Sequence, residues 1–288
     1  MIRSMTGYAR VERQNPQGRV SWEMRSVNHR YLDLGFKLPE EFRTLENELR
    51  PRIAAEVSRG KVEVSLRYVR DALGAAAMAL DIDRLAELRA ALDRVAETLG
   101  PVAVPDPVRV LAFPGVVRQE QADFSPLLDL AREGFDALLA DFSATRQREG
   151  ESLRQFLADR CDQLLQQVEQ VRLRYPQVRD QWRERLQSRC AELGVELEPA
   201  RLAQEVALAA TRLDVEEELS RLGAHVAEIR KILSRREAVG RRLDFLMQEL
   251  NREANTLSSK SQDAEMTRCG VDMKVLIEQM REQVQNIE

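Results

Sequence analysis

The chain is poor in histidine, cysteine and aromatic rings, and each scarcity removes a class of function. His29 and His225 are the only histidines, so a metal site must lean on carboxylates and would suit a hard divalent ion, magnesium or manganese. Cys161, Cys190 and Cys269 are odd in number and widely spaced. That argues against a disulfide framework and a zinc cluster, and leaves them as buried or idle thiols. No apolar run is long enough to cross a bilayer, and Ser4, Thr6 and Gly7 stand between Arg3 and Arg10 where an export signal would carry an apolar segment. The expected setting is the cytoplasm, away from membranes. There is no GxxxxGKS or GxxxxGKT loop, no GxGxxG after a strand, no GxSxG and no HExxH. The usual nucleotide-hydrolysing, dehydrogenase, esterase and zinc-protease chemistries fall away with them.

What is present is charge, unevenly spread. Over 288 residues the net charge is only -4, yet residues 1–70 hold fourteen Lys/Arg against nine Asp/Glu. A basic start on an acidic protein fits an anionic ligand. A second basic cluster comprises Arg230, Lys231, Arg235, Arg236, Arg241 and Arg242, with Glu237 alone opposing it. The length allows two domains or one elaborated domain.

The first 70 residues alternate in the manner of half-buried strands. Val20, Trp22 and Met24 oppose Ser21, Glu23 and Arg25, and Val62, Val64, Leu66 and Tyr68 oppose their polar neighbours. Between them, Phe42, Leu45, Leu49, Ile53 and Val57 have helical spacing within 39–58, which predicts a small mixed sheet with helices on one face. A helical stripe runs from Leu85 to Leu99 and stops at Gly100 and Pro101. A proline-rich bridge follows, and after Pro126 the chain reads as nearly all helix, with Pro176 expected to break or kink a long run and a further helix reaching about 193. The fold class is therefore α+β: an N-terminal mixed α/β domain (1–155, its core to about 125), a helical connector (156–202) and a C-terminal helical domain (203–288). The long helices form an arm or an open bundle whose apolar stripes need each other or another subunit, so a homo-oligomer is expected.

Residues 200–257 carry the chemistry. Val215, Leu219, Leu222, Val226, Ile229 and Leu233 form a core stripe, flanked by the row Asp214, Glu218, Arg221, His225 and Glu228. Ionisable groups beside a core are partly desolvated, which favours metal ions and shifted proton affinities. The same residues also satisfy the pattern of a salt-bridged helix flank. The next helix has Val239, Leu243, Leu246, Leu250 and Leu257 inside, with Asp244, Gln248, Glu249, Arg252, Glu253 and Asn255 as polar companions. If the chain reverses near Arg235, antiparallel pairing sets His225 level with Leu246 and Glu218 with Glu253, and the carboxylates converge on one imidazole. If it runs straight, His225 and Glu249 stand ~36 Å apart and no single site forms.

Seven segments carry a resemblance: MIRSMTGYAR, WEMRSVNHRYLDLGFKLPE, RGKVEVSLRY, FPGV at 113–116, LDVEEELSRLGAHV, EAVGRRLDFLMQELNREANTLSSKS and VLIEQMREQVQNIE. Together they resemble the YicC/YloC family of bacterial endoribonucleases over essentially the whole chain. The resemblance implies a metal-dependent endonuclease acting on single-stranded or hairpin RNA in RNA turnover, a hexamer around an RNA-accepting channel, and possible cooperation with other ribonucleases. The matching positions are Arg25, Asn28, Arg30, Glu218, His225, Asp244, Glu249, Arg252, Glu253 and Asn255. At His29 the family accepts glutamine, which moves the burden from a pair of histidines to a metal, or to His225 with carboxylates.

The expected assignment follows. Glu218, His225, Glu249 and Glu253 are metal ligands, with His225, Asp244 and Glu249 catalytic. Arg25, Asn28, Arg30, Arg241, Arg242, Arg252, Asn255 and Lys260 contact RNA; Trp22 belongs to the core. The competing class is a noncatalytic RNA-binding adaptor that delivers RNA to other nucleases.

Overall fold

A computed structural model describes residues 2–70, 79–100, 103–117, 123–192, 200, 204, 206–208, 214–235 and 239–288. The fold is α+β, as the sequence predicts. Strands β1 (Gly7–Asn15), β2 (Gly18–Val27), β3 (Leu32–Lys37) and β4 (Gly60–Arg70) form one sheet in the order β1-β2-β4-β3. Three of its strands are neighbours through antiparallel pairing, and β3 lies parallel to β4. A parallel neighbour requires a crossover. It is made by a short 3-10 turn (Glu40–Phe42) and helix α1 (Leu45–Glu56), inside the 39–58 span expected to be helical.

The β1–β2 turn is held by Asn15, whose Oδ1 accepts from the backbone N–H groups of Gln17 and Gly18. Gly18 has φ +152°, and a Cβ there would lie 2.3 Å from the Val69 carbonyl oxygen, so only glycine fits.

Helix α2 (Ile82–Leu99) and the short α3 (Pro107–Leu111) bury none of their side chains. They lead to α4 (Ser125–Glu192), a helix of 68 residues, about 100 Å at 1.5 Å per residue. Pro176 lies inside it and does not end it, so of the break or kink expected there the break does not occur. Its neighbours Tyr175 and Val178 pack on the C-terminal core, and such packing can outweigh the ~3 kcal/mol cost of a helical proline.

α4 links two cores. Its first half covers the sheet: Trp22 is fully buried, donates Nε1–H to the Ala131 carbonyl at 2.8 Å, and meets Phe135 edge-on at 5.4 Å. Its second half, through Leu157, Cys161, Leu164, Val168 and Val171, joins α5 (Glu216–Leu233), α6 (Gly240–Lys260) and α7 (Ala264–Val284) in a helical bundle. Both apolar stripes expected for α5 and α6 are buried there. Burial pushes the Cys161 thiol up to about 11, consistent with an idle packing group. Among the described residues, no helix is long and apolar enough to cross a membrane.

The two cores are tied at a seam. The Ser4 N–H bonds the Arg146 carbonyl, the Met5 N–H bonds the Asn286 carbonyl, and Ser4 bridges Ile287. The N-terminal segment crosses α4 at Gly150, where a Cβ would stand 2.2 Å from the Ile2 carbonyl oxygen. Gly150→Ala is therefore expected to destabilise by ~1–3 kcal/mol through overpacking, despite the ~1 kcal/mol that alanine gains in an unconstrained helix. Urea unfolding checks this; a midpoint at or above the parent's would refute the close approach.

Candidate metal centre and basic seam

The chain does reverse between α5 and α6, and the helices pair antiparallel. Arg242 reaches Glu228 at 2.5 Å and Arg221 reaches Glu253 at 3.4 Å, close to the register expected from the sequence. The periodicity that buries Leu222, Val226 and Leu250 leaves His225, Glu249 and Glu253 on the flank of the same interface. One ligand atom from each of these three lies within 4.8 Å of the others. Glu249 and Glu253 are one turn apart on α6, so two carboxylates face the imidazole from rigid backbone.

One imidazole and two carboxylates fit a divalent cation that prefers oxygen and tolerates nitrogen, and three protein ligands leave positions for water and substrate. Two guanidinium groups now balance the acids. Arg252 lies 2.8 Å from Glu249 Oε2 and 3.4 Å from Glu253 Oε1, and Arg221 completes the set. Glu253 is 2% exposed, whereas the Arg252 side chain is 61% exposed and can leave.

The other expected site residues are placed as follows. Glu218, 5% exposed, stays outside the three-residue group; its Oε1 accepts from Lys260 Nζ at 2.8 Å, while Oε2 is buried with no hydrogen-bond donor among the described residues. Lys260 also donates to the Asp214 carbonyl, so it braces the α5–α6 interface. Asn255 is bonded to Asn251, and Arg242 is held by Glu228. Arg25 is exposed on β2, opposite Tyr8 and Glu63. Arg236 and Glu237 lie outside the described residues. His29 is exposed with Nδ1 3.0 Å from the Tyr31 carbonyl, and does not join His225.

Asn28, Arg30, Arg241 and Asp244 meet elsewhere, at the seam between the sheet and the start of α6. Asn28, Arg241 and Asp244 line a cavity of about 410 Å³ with Arg59 and Arg281. Arg30 lines a second of about 410 Å³ that shares Arg59, Gly240 and Arg241. Sequence reasoning missed Arg59 and Arg281, because each sits among charged residues in a segment where nothing local marks it. Asp244 accepts from Gln248 Nε2 at 3.0 Å and faces this seam rather than the His225 group.

Family models described as the N-terminal region and the C-terminal part of YicC-like endoribonucleases match residues 2–155 and 171–288. The chain is 44% identical over 288 residues to a probable endoribonuclease YicC of Haemophilus influenzae, each covered in full. The chain belongs to the YicC-like endoribonuclease family. A second YicC-like relative, a probable endoribonuclease YicC of Clostridioides difficile, is 32% identical over 297 residues, again with both chains covered in full. The first YicC-like segment ends and the second begins within α4, and both the three-residue group and the α6 side of the seam fall in the C-terminal one.

Proposed function

We propose that this YicC-like chain is an endoribonuclease that hydrolyses phosphodiester bonds in single-stranded or hairpin RNA, using a divalent cation, manganese or magnesium, held by His225, Glu249 and Glu253. The observation that carries the reading is the convergence of those three side chains within 4.8 Å on the paired flanks of α5 and α6, in a member of this family. A bound divalent ion supplies Lewis-acid polarisation of a phosphate oxygen and a water of lowered pKa.

The chain's own groups do the rest. His225 presents a ring nitrogen, and the two glutamates present negative charge fixed by helix packing. Glu218 keeps its buried Oε2 as an acceptor for a water or the ion. Arg252, released from the glutamates, neutralises a nonbridging phosphate oxygen as charge builds. Asp244 orients groups at the seam, while Arg25, Asn28, Arg30, Arg241 and Asn255 contact RNA. Arg242 and Lys260 contribute positive potential while holding Glu228 and Glu218. The working form is a homo-oligomer, with a hexamer expected. Apolar side chains that α2 and its neighbours leave in solvent support this, among them Ile82, Leu99 and Val104.

End-labelled hairpin RNA incubated with purified protein tests the reading. Internal cuts are expected with manganese or magnesium and none in excess chelator. RNA that is bound and never cut under either ion would sink the nuclease reading and favour the adaptor.

A further inference from the structure

The basic seam is built from four segments distant in sequence: the loop after β2 (Asn28, Arg30), the turn before β4 (Ser58, Arg59), the first turn of α6 (Gly240, Arg241) and the end of α7 (Arg281). Among the described residues four guanidinium groups line it, and its two side-chain carboxylates already have donors. Asp244 takes the Gln248 amide, and Glu288 takes Ser58, the Arg59 backbone N–H and Arg146. Arg281 has one exposed partner, Glu278 at 3.5 Å, and Arg30 lies over the Tyr31 ring. The guanidinium groups of Arg59 and Arg241 make no hydrogen bond or ion pair with any described residue.

Nε of Arg59 and Nε of Arg281 are both out of solvent and find no acceptor among the described residues. A buried donor without a partner is costly, more so when charged, so two in one cavity point to an acceptor supplied from outside. Burial, then the charge of Arg241, pulls the Arg59 guanidinium below its usual value. The seam thus carries like charges at close quarters. α6 adds backbone N–H groups of its first turn and the positive end of its dipole. Gly240 permits the junction, since a Cβ there would lie 2.5 Å from the Ile287 carbonyl oxygen and 3.9 Å from Arg59 Nη1.

We infer that this seam binds a phosphate group of the RNA chain other than the one being cut, held by the guanidinium groups of Arg59, Arg241 and Arg281 with Arg30 and Asn28 at its mouth. Guanidinium forks match phosphate oxygens two at a time, which a carboxylate cluster or an apolar partner would not reward. Arg241 lies 8 to 12 residues before Glu249 and Glu253, on the order of 12 to 18 Å along α6. A strand anchored at the seam would therefore cross the His225 group further along, so the inference extends the RNA-cleaving reading.

The test uses the full chain in excess chelator, so that no RNA is cut. Binding of a labelled single-stranded RNA is titrated against salt for the parent, Arg59→Gln, Arg241→Gln and, as a control, Arg183→Gln on the exposed face of α4. Each seam variant is expected to weaken binding about tenfold and reduce the slope of log affinity against log salt by about 0.7, the value for one lost single-strand phosphate contact. The control should change neither. Thermal unfolding is read in parallel: inorganic phosphate should raise the parent's Tm and leave the variants' unmoved, and Arg241→Gln alone should match or exceed the parent, because it relieves repulsion.

Unchanged affinity and slope would overturn the inference. So would protection by phosphate with unaltered RNA binding, which would make this a site for free phosphate. A Tm lowered in step with affinity would also overturn it, by showing that the arginines merely hold the seam. Failure of the nuclease reading is separable: a protein that never cuts RNA would still show the seam-dependent salt slope.

Discussion

Glu253→Gln is expected to lower metal-dependent RNA cleavage by about 10²- to 10⁴-fold while leaving the fold intact. The rate loss follows from position. Glu253 supplies one of three converging ligand atoms, and metal and acid–base contributions of this kind carry effects of that size. The modest structural cost follows from its neighbours. Arg221 keeps an ion pair with Glu217, and Arg252 keeps Glu249 at 2.8 Å, so neither guanidinium is stranded when the charge at 253 is removed. Glu249→Gln and His225→Ala should lose cleavage comparably and weaken manganese binding measured by titration calorimetry. Asp244→Asn, facing the seam, should lose only a few-fold. Arg252→Gln separates the roles further: manganese should bind more tightly once the competing cation is gone, while kcat falls because a phosphate-neutralising group is lost. Parent-like cleavage by Glu253→Gln at saturating manganese would remove this site from consideration.

The cluster was legible in the sequence for a definite reason. Once the chain reverses near Arg235, two apolar stripes at period 3.6 set which faces of α5 and α6 meet and their approximate register, which brings His225 beside Glu249 and Glu253, though not Glu218 or Asp244. Trp22 was legible as core because strand alternation assigns its face. The continuity of α4 through Pro176 was not, since local propensity says stop and only the packing of Tyr175 and Val178 says continue. Nor was the seam: Arg59 and Arg281 become neighbours only when the sheet docks on the end of the bundle, and each alone reads as a solvated charge. Lys260, expected at RNA, is tied to Glu218 across the helix pair, a contact that spacing along one helix does not contain.

Arg146 was hidden for the same reason and carries the largest expected effect on stability. In a run rich in Gln, Arg and Glu it looks like surface, yet it is 0% exposed. Its Nε–H donates to the Ser4 carbonyl at 2.6 Å, Nη1 reaches the Glu56 carbonyl at 3.3 Å, Nη2 pairs with Glu288, and the guanidinium lies 5.6 Å from the Phe142 ring centroid. One side chain thus joins the N-terminal segment, α1, α4 and the segment after α7. Arg146→Met takes the donor from the Ser4 carbonyl and from Oε2 of Glu288, while the Glu56 carbonyl keeps Arg3 and Oε1 of Glu288 keeps Ser58, and breaking one partner of a buried pair costs ~3–5 kcal/mol. At ~2–4 °C per kcal/mol for a chain of this class, Tm should fall by about 6 °C or more. Arg146→Met with Glu288→Met should recover part of the loss, since the stranded charge goes with its partner. Burial, reinforced by Arg3, lowers the Arg146 guanidinium to about 10. A base whose folded value lies below its unfolded one makes folding more favourable only as pH rises past the folded value. Arg146 therefore stays charged across neutral pH, and the deficit of the variant should be flat between about pH 6 and 8. A Tm within about 2 °C of the parent's, or a double variant no better than Arg146→Met, would show that Arg146 is not the tie between the two cores.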